Sequence, residues 1–260
     1  MNVLIRNRKI YEQVFYDNEG HFEDIAKKQL AEVFDEFIVL DFKPLVLGDD
    51  GVRRRPDLAL IHRRYLMWVV VEVELEHHSL DHHVFPQMQA LASGAYELAH
   101  ADYLAQKCSK IDLERAKDLV TYIPPQVMTL VNSRRVLEKG WEILESDLRV
   151  RLTFLETYRS EIGDSIFCLS GYIPQIKSER IAGAKTHRMI NALVCRNPDS
   201  IPVAASATLR MYVEGRPIDW QVLKTADSAL LIPRPSFTLR RDRNYEILRA
   251  ENGNMLLRML

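Results

Sequence analysis

The clearest helical pattern in the chain lies between Gly20 and Phe37. Apolar residues recur there at the three- and four-residue spacing of one helix face: Phe22, Ile25, Ala26, Leu30, Val33 and Phe34. Glu23 falls at the edge of this stripe, so its side chain can face whatever the stripe packs against. The pattern therefore predicts an amphipathic helix with a carboxylate beside its buried face.

Three segments after this helix have the composition of β-strands. They are residues 36–47, 56–62 and 65–76, all rich in β-branched and aromatic side chains. A short polar step at residues 62–64 joins the second segment to the third. So short a connection predicts an antiparallel hairpin.

The pattern then alternates between helix and strand as far as residue 158. We expect helices over residues 81–107, 112–120 and 134–146, and strands over residues 126–132 and 147–158. Residues 1–19 fit a short hairpin or an arm. The order of helix, three strands, helix, strand, helix and strand predicts a mixed α/β domain over residues 1–160.

The pattern of apolar and polar residues changes after residue 160. Short apolar runs separated by turn-forming residues fill the rest of the chain, beginning with SIFCLSGYI at residues 165–173. Residues 251–254, Glu-Asn-Gly-Asn, lie between two such runs and predict a hairpin. We therefore expect a second, smaller, mostly-β domain over residues 165–260.

Three carboxylates occupy the second and third predicted strands. Asp57 opens the second strand, and Glu72 and Glu74 share one face near the end of the third, because side chains alternate along a strand. A turn near residues 63–64 would place Asp57 roughly opposite Val71 and close to Glu72. Like charges so close repel one another, and burial adds to the cost. A divalent cation relieves both effects, and carboxylate ligands suit Mg²⁺ or Mn²⁺. An ordinary strand with one solvated face gives the same alternation.

This arrangement resembles the active-site motif of the PD-(D/E)xK nuclease superfamily over about residues 20–157: Pro56-Asp57 on one strand, Glu72 and Glu74 on the next, and Glu23 on a preceding helix. The resemblance implies a restriction-endonuclease-like core with a mixed sheet. It also implies that Asp57, Glu72, the backbone carbonyl of Val73 and Glu23 bind the metal ion. Gln87, on the following helix, stands where some members place a polar helper residue.

One position departs from that motif, because Glu74 stands where the motif has a lysine. The lysine helps to hold the attacking water and offsets transition-state charge. Glu74 could instead accept a proton from that water or bind a second metal ion. Lys27, one helical turn after Glu23, or Lys43, on the first predicted strand, could supply a lysine from elsewhere.

Histidines and one arginine flank the acidic positions. The segment EHHSLDHH covers residues 76–83, and the four-residue spacing of His78 and His82 would let both share a helix face, as zinc ligands do. We expect His78 and His83 to line the mouth of the acidic site or to contact phosphate. A polar helix N-terminus capped by Ser79 is the alternative. Arg55 is expected to clamp the phosphate backbone, with a solvated loop as its alternative.

Composition and charge limit the function classes. The chain has 260 residues, 47% of them apolar, and a formal net charge of -1, so a sizeable core is possible but a globally basic nucleic-acid binder is excluded. No membrane span, secretory leader or disulfide framework is expected, which makes a reducing cytoplasm the simplest setting. Neither a Walker loop nor a GxSxG or GxGxxG motif occurs, so nucleotide-triphosphate, α/β-hydrolase and dinucleotide chemistry lack support.

These features together predict a Mg²⁺-dependent, endonuclease-like phosphodiesterase that acts on DNA, with RNA left open and a β-rich accessory domain for substrate or partner. A homodimer is compatible, since nucleases that cut both strands often pair. The first alternative is the same fold without catalysis, binding nucleic acid or a protein partner, and the exchange of lysine for Glu74 supports it. The second alternative is a histidine-centred metal enzyme.

Overall fold

The computed structural model describes residues 2–175, 178–234, 237–250 and 253–260. Its secondary structure is mixed and mostly β, with 25% helix and 40% strand. Two compact units divide the chain: Met1–Arg63 with Met67–Pro174, and Arg64–Leu66 with Gln175–Leu260. Within the described ranges, every helix is too short or too polar to cross a membrane.

The first unit contains ten strands and five α-helices. The strands are β1 (Val3–Arg6), β2 (Lys9–Val14), β3 (Phe37–Asp41), β4 (Val46–Leu47), β5 (Arg53–Arg54), β6 (Leu58–His62), β7 (Trp68–Glu74), β8 (Gln126–Val131), β9 (Arg151–Ser160) and β10 (Ser165–Gly171). The helices are α1 (Glu19–Val33), α2 (Phe85–Ala92), α3 (Leu98–Lys107), α4 (Leu113–Tyr122) and α5 (Ile143–Leu148), with a π-helical turn at Leu80–Val84 and a 3₁₀ helix at Arg134–Lys139.

Eight of these strands form one mixed sheet in the order β1-β2-β9-β8-β7-β6-β3, with β10 paired to β9. The strands β6 and β7 pair antiparallel, which confirms the predicted hairpin. The strands β7, β8 and β9 pair parallel, and their connections contain helices, as parallel crossovers require. Every residue of β6 and β7 is buried, so any charged side chain there must find a partner inside the protein.

Helix α1 packs against β3 and β7. Its buried face consists of Phe22, Ala26 and Leu30, whereas Val33, the last residue of the helix, is exposed. This packing turns the edge of the apolar face, where Glu23 lies, toward the strands that carry the acids.

The long helix expected over residues 81–107 is instead divided into the π-helical turn, α2 and α3. The break falls at Gly94, where a Cβ atom would lie 2.3 Å from Val46 Cγ1. Only glycine permits this close approach of α2 to β4. The strand expected over residues 36–47 is likewise divided into β3 and β4.

The N-terminal end of the first unit agrees with one of its two expected forms, whereas the C-terminal end differs from the expectation. The ambiguous segment over residues 1–19 includes the hairpin of β1 and β2, whose turn residues Asn7 and Arg8 have the positive φ angles of a two-residue hairpin turn. The segment SIFCLSGYI was expected to open the second domain at residue 165. It belongs instead to the first unit, because β10 hydrogen-bonds along β9.

The second unit contains the strands β11 (Ser178–Thr186), β12 (Leu193–Cys195), β13 (Thr208–Val213), β14 (Arg216–Lys224), β15 (Ala229–Arg234), β16 (Asn244–Ala250) and β17 (Met255–Met259). They close into a barrel in the order β11-β12-β15-β14-β13-β17-β16. Trp220 lies fully buried in its core. The strands β16 and β17 pair antiparallel, as the hairpin prediction requires, although Glu251 and Asn252 of the predicted turn lie outside the described residues.

Candidate functional site

Pairing of β6 with β7 brings Asp57 beside Glu72. Leu58 lies opposite Val71, and the N–H of Asp57 donates to the Val71 carbonyl at 3.1 Å. Asp57 therefore lies beside Val71 and close enough to Glu72 for its charge to act on that carboxyl group, as predicted. The Asp57 carboxylate is further held by the backbone N–H of Val73, which donates to its Oδ2 at 2.8 Å.

The three acids are almost completely removed from solvent. Asp57 is 6% exposed, Glu72 is 3% exposed and Glu74 is 0% exposed. Gln87 on α2 donates a hydrogen bond from its Nε2 to Glu72 Oε1. Among the described residues, however, no group donates to Glu72 Oε2 or to Glu74 Oε1. A buried carboxylate oxygen without a partner is costly, so these two atoms are the strongest local indication of an external ligand.

Burial makes ionisation of two of these acids unfavourable. It raises the pKa of Glu72 well above the usual range, and the negative charges of Asp57 and Glu74 raise that pKa further. Burial also raises the pKa of Glu74 to about 8, although His83 acts in the opposite direction. The pair therefore favours protons when no other cation is present.

Lys43 supplies the ammonium group of the site. It follows β3, and its Nζ lies 2.6 Å from Asp57 Oδ1 and 2.7 Å from Glu23 Oε1. Burial lowers the pKa of Lys43, but hydrogen bonds from Nζ to Asp57 and Glu23 outweigh that effect and leave the pKa raised. Lys27, the other lysine proposed from the sequence, pairs with Asp41 at 2.7 Å instead.

Glu23 takes part in the site through this lysine. Burial raises the pKa of Glu23, and the hydrogen bond from Lys43 opposes the rise. The helix α1 therefore contributes a carboxylate that meets Asp57 across one shared ammonium group. The predicted acids and Gln87 are thus all brought to one end of β6 and β7, with Lys43 among them.

The histidines are arranged differently from the expected helical spacing. The segment Leu80–Val84 forms a wide π-helical turn, so His83, five residues after His78, returns to the same side. His78 Nδ1 lies 2.5 Å from Glu74 Oε2, and His83 Nε2 lies 3.6 Å from the same oxygen. His82 is absent from the group of donor atoms that Glu19, Glu74, His78 and His83 bring together, so the four-residue spacing of His78 and His82 does not place those two histidines at one site.

The structure also gives the positions of Arg55 and Glu19. Arg55 is exposed in the loop before Asp57, a position that is open to a phosphate group or to solvent alone. Glu19, at the start of α1, lies 3.7 Å from His78 and was not singled out by the sequence pattern. Its four-residue spacing from Glu23, which puts both acids on one helix face, is the signal that could have identified it.

No protein-family model, no curated protein and no solved structure matches this chain. The chemistry of its own residues therefore indicates what the site can do. That chemistry is a buried group of carboxylates with an ammonium group, two histidines and two oxygen atoms to which none of the described residues donates.

We expect Glu74→Gln to reduce the pH dependence of stability in EDTA. The carboxyl titrates near 4.5 when unfolded and at about 8 when folded, so the unfolded chain releases its proton first as the pH rises. The wild type should therefore lose a few kcal/mol of unfolding free energy between these pH values, at ~1.4 kcal/mol per unit of pKa difference. Urea denaturation at pH 5 and pH 8 measures the loss.

The matched control is Glu32→Gln, which removes an exposed carboxylate of α1. This variant should keep the wild-type dependence on pH. If Glu74→Gln also kept it, Glu74 would not be the buried acid that we describe.

Proposed function

We propose that the first unit is a metal-dependent phosphodiesterase of the endonuclease type, built on a restriction-endonuclease-like core and acting on DNA. The observation that carries this proposal is the convergence of Asp57, Glu72 and Glu74 at one buried sheet end, where two carboxylate oxygens have no donor in the part of the chain that the structure describes. A cation would satisfy those oxygens and remove the repulsion at the same time.

The available donors fit Mg²⁺ or Mn²⁺. Asp57 and Glu72 offer carboxylate oxygens, and hard divalent cations prefer oxygen ligands. The N–H of Val73 faces Asp57, and the N–H and C=O groups of one strand residue point to the same side, so the Val73 carbonyl is available as a further ligand. Glu23 is held at the edge of this set by Lys43.

The side chains have separable roles in hydrolysis of a phosphodiester. A bound divalent ion would supply Lewis-acid stabilisation of the charge that develops on phosphate. Glu74 would accept a proton from the water that attacks phosphorus, in the ionised form that a neighbouring dication favours. The P–O ester bond breaks on the opposite side, and the leaving oxygen takes a proton from solvent.

Lys43 and Gln87 would support this chemistry by position and charge. The Lys43 ammonium, 2.6 Å from Asp57, can offset negative charge on the phosphate and hold a water, which are the functions of the motif lysine that Glu74 replaces. Gln87 fixes the orientation of Glu72 through its hydrogen bond. Arg55 and the exposed edge of His83 would contact the phosphate backbone.

Nicking of a supercoiled plasmid tests the proposal. The purified full chain should convert the plasmid to open circles in Mg²⁺ or Mn²⁺, should stop in EDTA, and should resume when the metal is restored. Cleavage that continues at the same rate in EDTA would contradict a metal-dependent mechanism. Absence of cleavage with both metals, on DNA and on RNA, would favour the second candidate.

The second candidate function is a binding module without catalysis. One observation favours it: Lys43 already bridges Asp57 and Glu23, so part of the acidic cluster is compensated without a metal ion. In the second unit, a cavity of about 530 Å³ is lined by Arg180, Lys185 and Arg196 among others and could receive phosphate groups. Retention of DNA in a gel-shift assay by a chain that does not cut would identify this function.

A further inference from the structure

A second group of possible ligands lies beside the acids of the proposed hydrolytic site. Glu19, Glu74, His78 and His83 each place one donor atom so that all four atoms lie within 4.8 Å of one another. Asp57 and Glu72 do not belong to this group. Its two imidazoles distinguish it chemically from the all-oxygen set formed by Asp57, Glu72 and the Val73 carbonyl.

Two local structures bring the four side chains together. Glu19 is the first residue of α1, and the side chain of Asn18 caps that helix. Ser79 caps the following π-helical turn, and the N–H groups of His83 and Val84 both donate to its carbonyl. The wide turn places the rings of His78 and His83 with their centroids 5.0 Å apart. π-helical turns are rare and frequently mark functional sites.

One pair within the group is in hydrogen-bond contact, since His78 Nδ1 lies 2.5 Å from Glu74 Oε2, but two other distances are too long for a hydrogen bond. His83 Nε2 lies 3.6 Å from Glu74 Oε2, and His78 Nδ1 lies 3.7 Å from Glu19 Oε2, both beyond hydrogen-bond length. Donors that share one metal ion at ~2.1 Å stand about 3–3.5 Å apart, which is close to the two longer distances. An ion entering between His78 and Glu74 would replace the hydrogen bond that joins them.

Glu74 is the buried member of the group, and one of its two carboxylate oxygens lacks a hydrogen-bond partner among the described residues. Glu74 is 0% exposed, and among the described residues nothing donates to its Oε1, while its Oε2 faces His78 at 2.5 Å. A protonated His78 would neutralise one oxygen and leave the other without a partner. A cation held by both carboxylates and both imidazoles would compensate the whole carboxylate of Glu74.

We propose that Glu19, Glu74, His78 and His83 form a binding site for a transition-metal dication, such as Zn²⁺ or Mn²⁺, in preference to Mg²⁺. Imidazole nitrogen favours transition metals, whereas Mg²⁺ prefers oxygen ligands and retains water. The site shares Glu74 with the proposed hydrolytic site, but binding here does not depend on that function. Loading of this site would hold Glu74 in place beside Glu72.

Equilibrium dialysis of the full chain against Zn²⁺ in a large excess of Mg²⁺ tests this inference. The wild type should retain one equivalent of zinc, and His78→Ala and His83→Ala should each weaken zinc binding at least about tenfold. Pulsed EPR of the Mn²⁺-loaded protein should show coupling to imidazole nitrogen that the double variant loses. Circular dichroism checks that each variant is folded.

Two variants make the result specific. His82→Ala removes an exposed histidine of the same turn and should bind zinc as the wild type does. Asp57→Asn should also retain zinc, which separates this site from the hydrolytic one. Failure of the wild type to retain zinc, or unchanged zinc binding in both His78→Ala and His83→Ala, would overturn the inference. Plasmid cleavage in EDTA would overturn only the proposed function.

Discussion

Asp57→Asn should reduce metal-dependent plasmid cleavage at least about a thousandfold while leaving the fold intact. Metal-ion stabilisation of the transition state is worth several kcal/mol, and ~1.4 kcal/mol corresponds to a factor of ten in rate. Asparagine keeps an oxygen that can accept from the Val73 N–H, so the junction of β6 with β7 is preserved. The variant therefore removes the charge of the ligand and weakens its pair with Lys43, but it keeps the contact with Val73. Nicking rates in Mn²⁺ measure the effect.

The matched control for this variant is Asp164→Asn. Asp164 is also paired with a lysine, since Lys9 Nζ lies 2.8 Å from its Oδ2, but the pair is exposed and lies outside the acidic group. Its loss should leave the cleavage rate at the wild-type value. An Asp57→Asn chain that cut DNA as fast as this control would remove Asp57 from the site.

The strands that carry the acids could be predicted because their patterns are local. Residues 56–62 and 65–76 combine apolar character with a connection too short for anything but a hairpin, and that hairpin alone brings Asp57 near Glu72. The turn between β6 and β7 has no fixed length in the sequence pattern, so the pattern could place Asp57 only roughly, opposite Val71 and close to Glu72. The hydrogen bond from the Asp57 N–H to the Val71 carbonyl agrees with that placement.

The rest of the site depends on contacts between distant segments, which a sequence pattern does not specify. Lys43 and Lys27 were equivalent candidates, and only the end of β3 at Asp41 and the packing of α1 decide that Lys43 meets Asp57. His83, and not His82, lies beside His78 because one residue more per turn is inserted at Leu80–Val84, and α-helical spacing cannot anticipate a π-helical turn.

The same reasoning explains the domain boundary. The segment over residues 165–171 has the short apolar pattern of the barrel strands, so its own composition assigns it to the second unit. Its partner is nevertheless β9, because the turn at residues 161–164 returns the chain directly along that strand. Strand pairing, not composition, therefore decides where the first unit ends.

Lys43→Met should both destabilise the acidic site and slow cleavage. Lys43 is the cation that bridges Asp57 and Glu23, so its loss leaves two acids facing each other without compensation. We expect a loss of about 1–3 kcal/mol of stability in EDTA, less than the ~3–5 kcal/mol for a fully buried pair, because the Lys43 side chain is 35% exposed. Cleavage should fall by about a hundredfold, as when one preorganised donor is removed.

Divalent metal should affect this variant more than the wild type. In the wild type, Mn²⁺ would compete with an ammonium group already in place, whereas in Lys43→Met it would be the only compensation for Asp57 and Glu23. The increase in thermal midpoint on adding Mn²⁺ should therefore be larger for the variant, since a ligand stabilises in proportion to the logarithm of its affinity. Thermal denaturation with and without Mn²⁺ measures this difference.

Lys27→Met distinguishes a role in the site from the general loss of an ion pair. Lys27 pairs with Asp41 at 2.7 Å, and its side chain is 38% exposed, so its geometry and exposure are close to those of Lys43. The two variants remove the same group from neighbouring positions, yet only Lys43 contacts Asp57. If both variants cut DNA at the same rate and gained the same stability from Mn²⁺, Lys43 would be an ordinary ion-pair residue. The motif lysine would then have no substitute in this chain, and the binding module would become the better description.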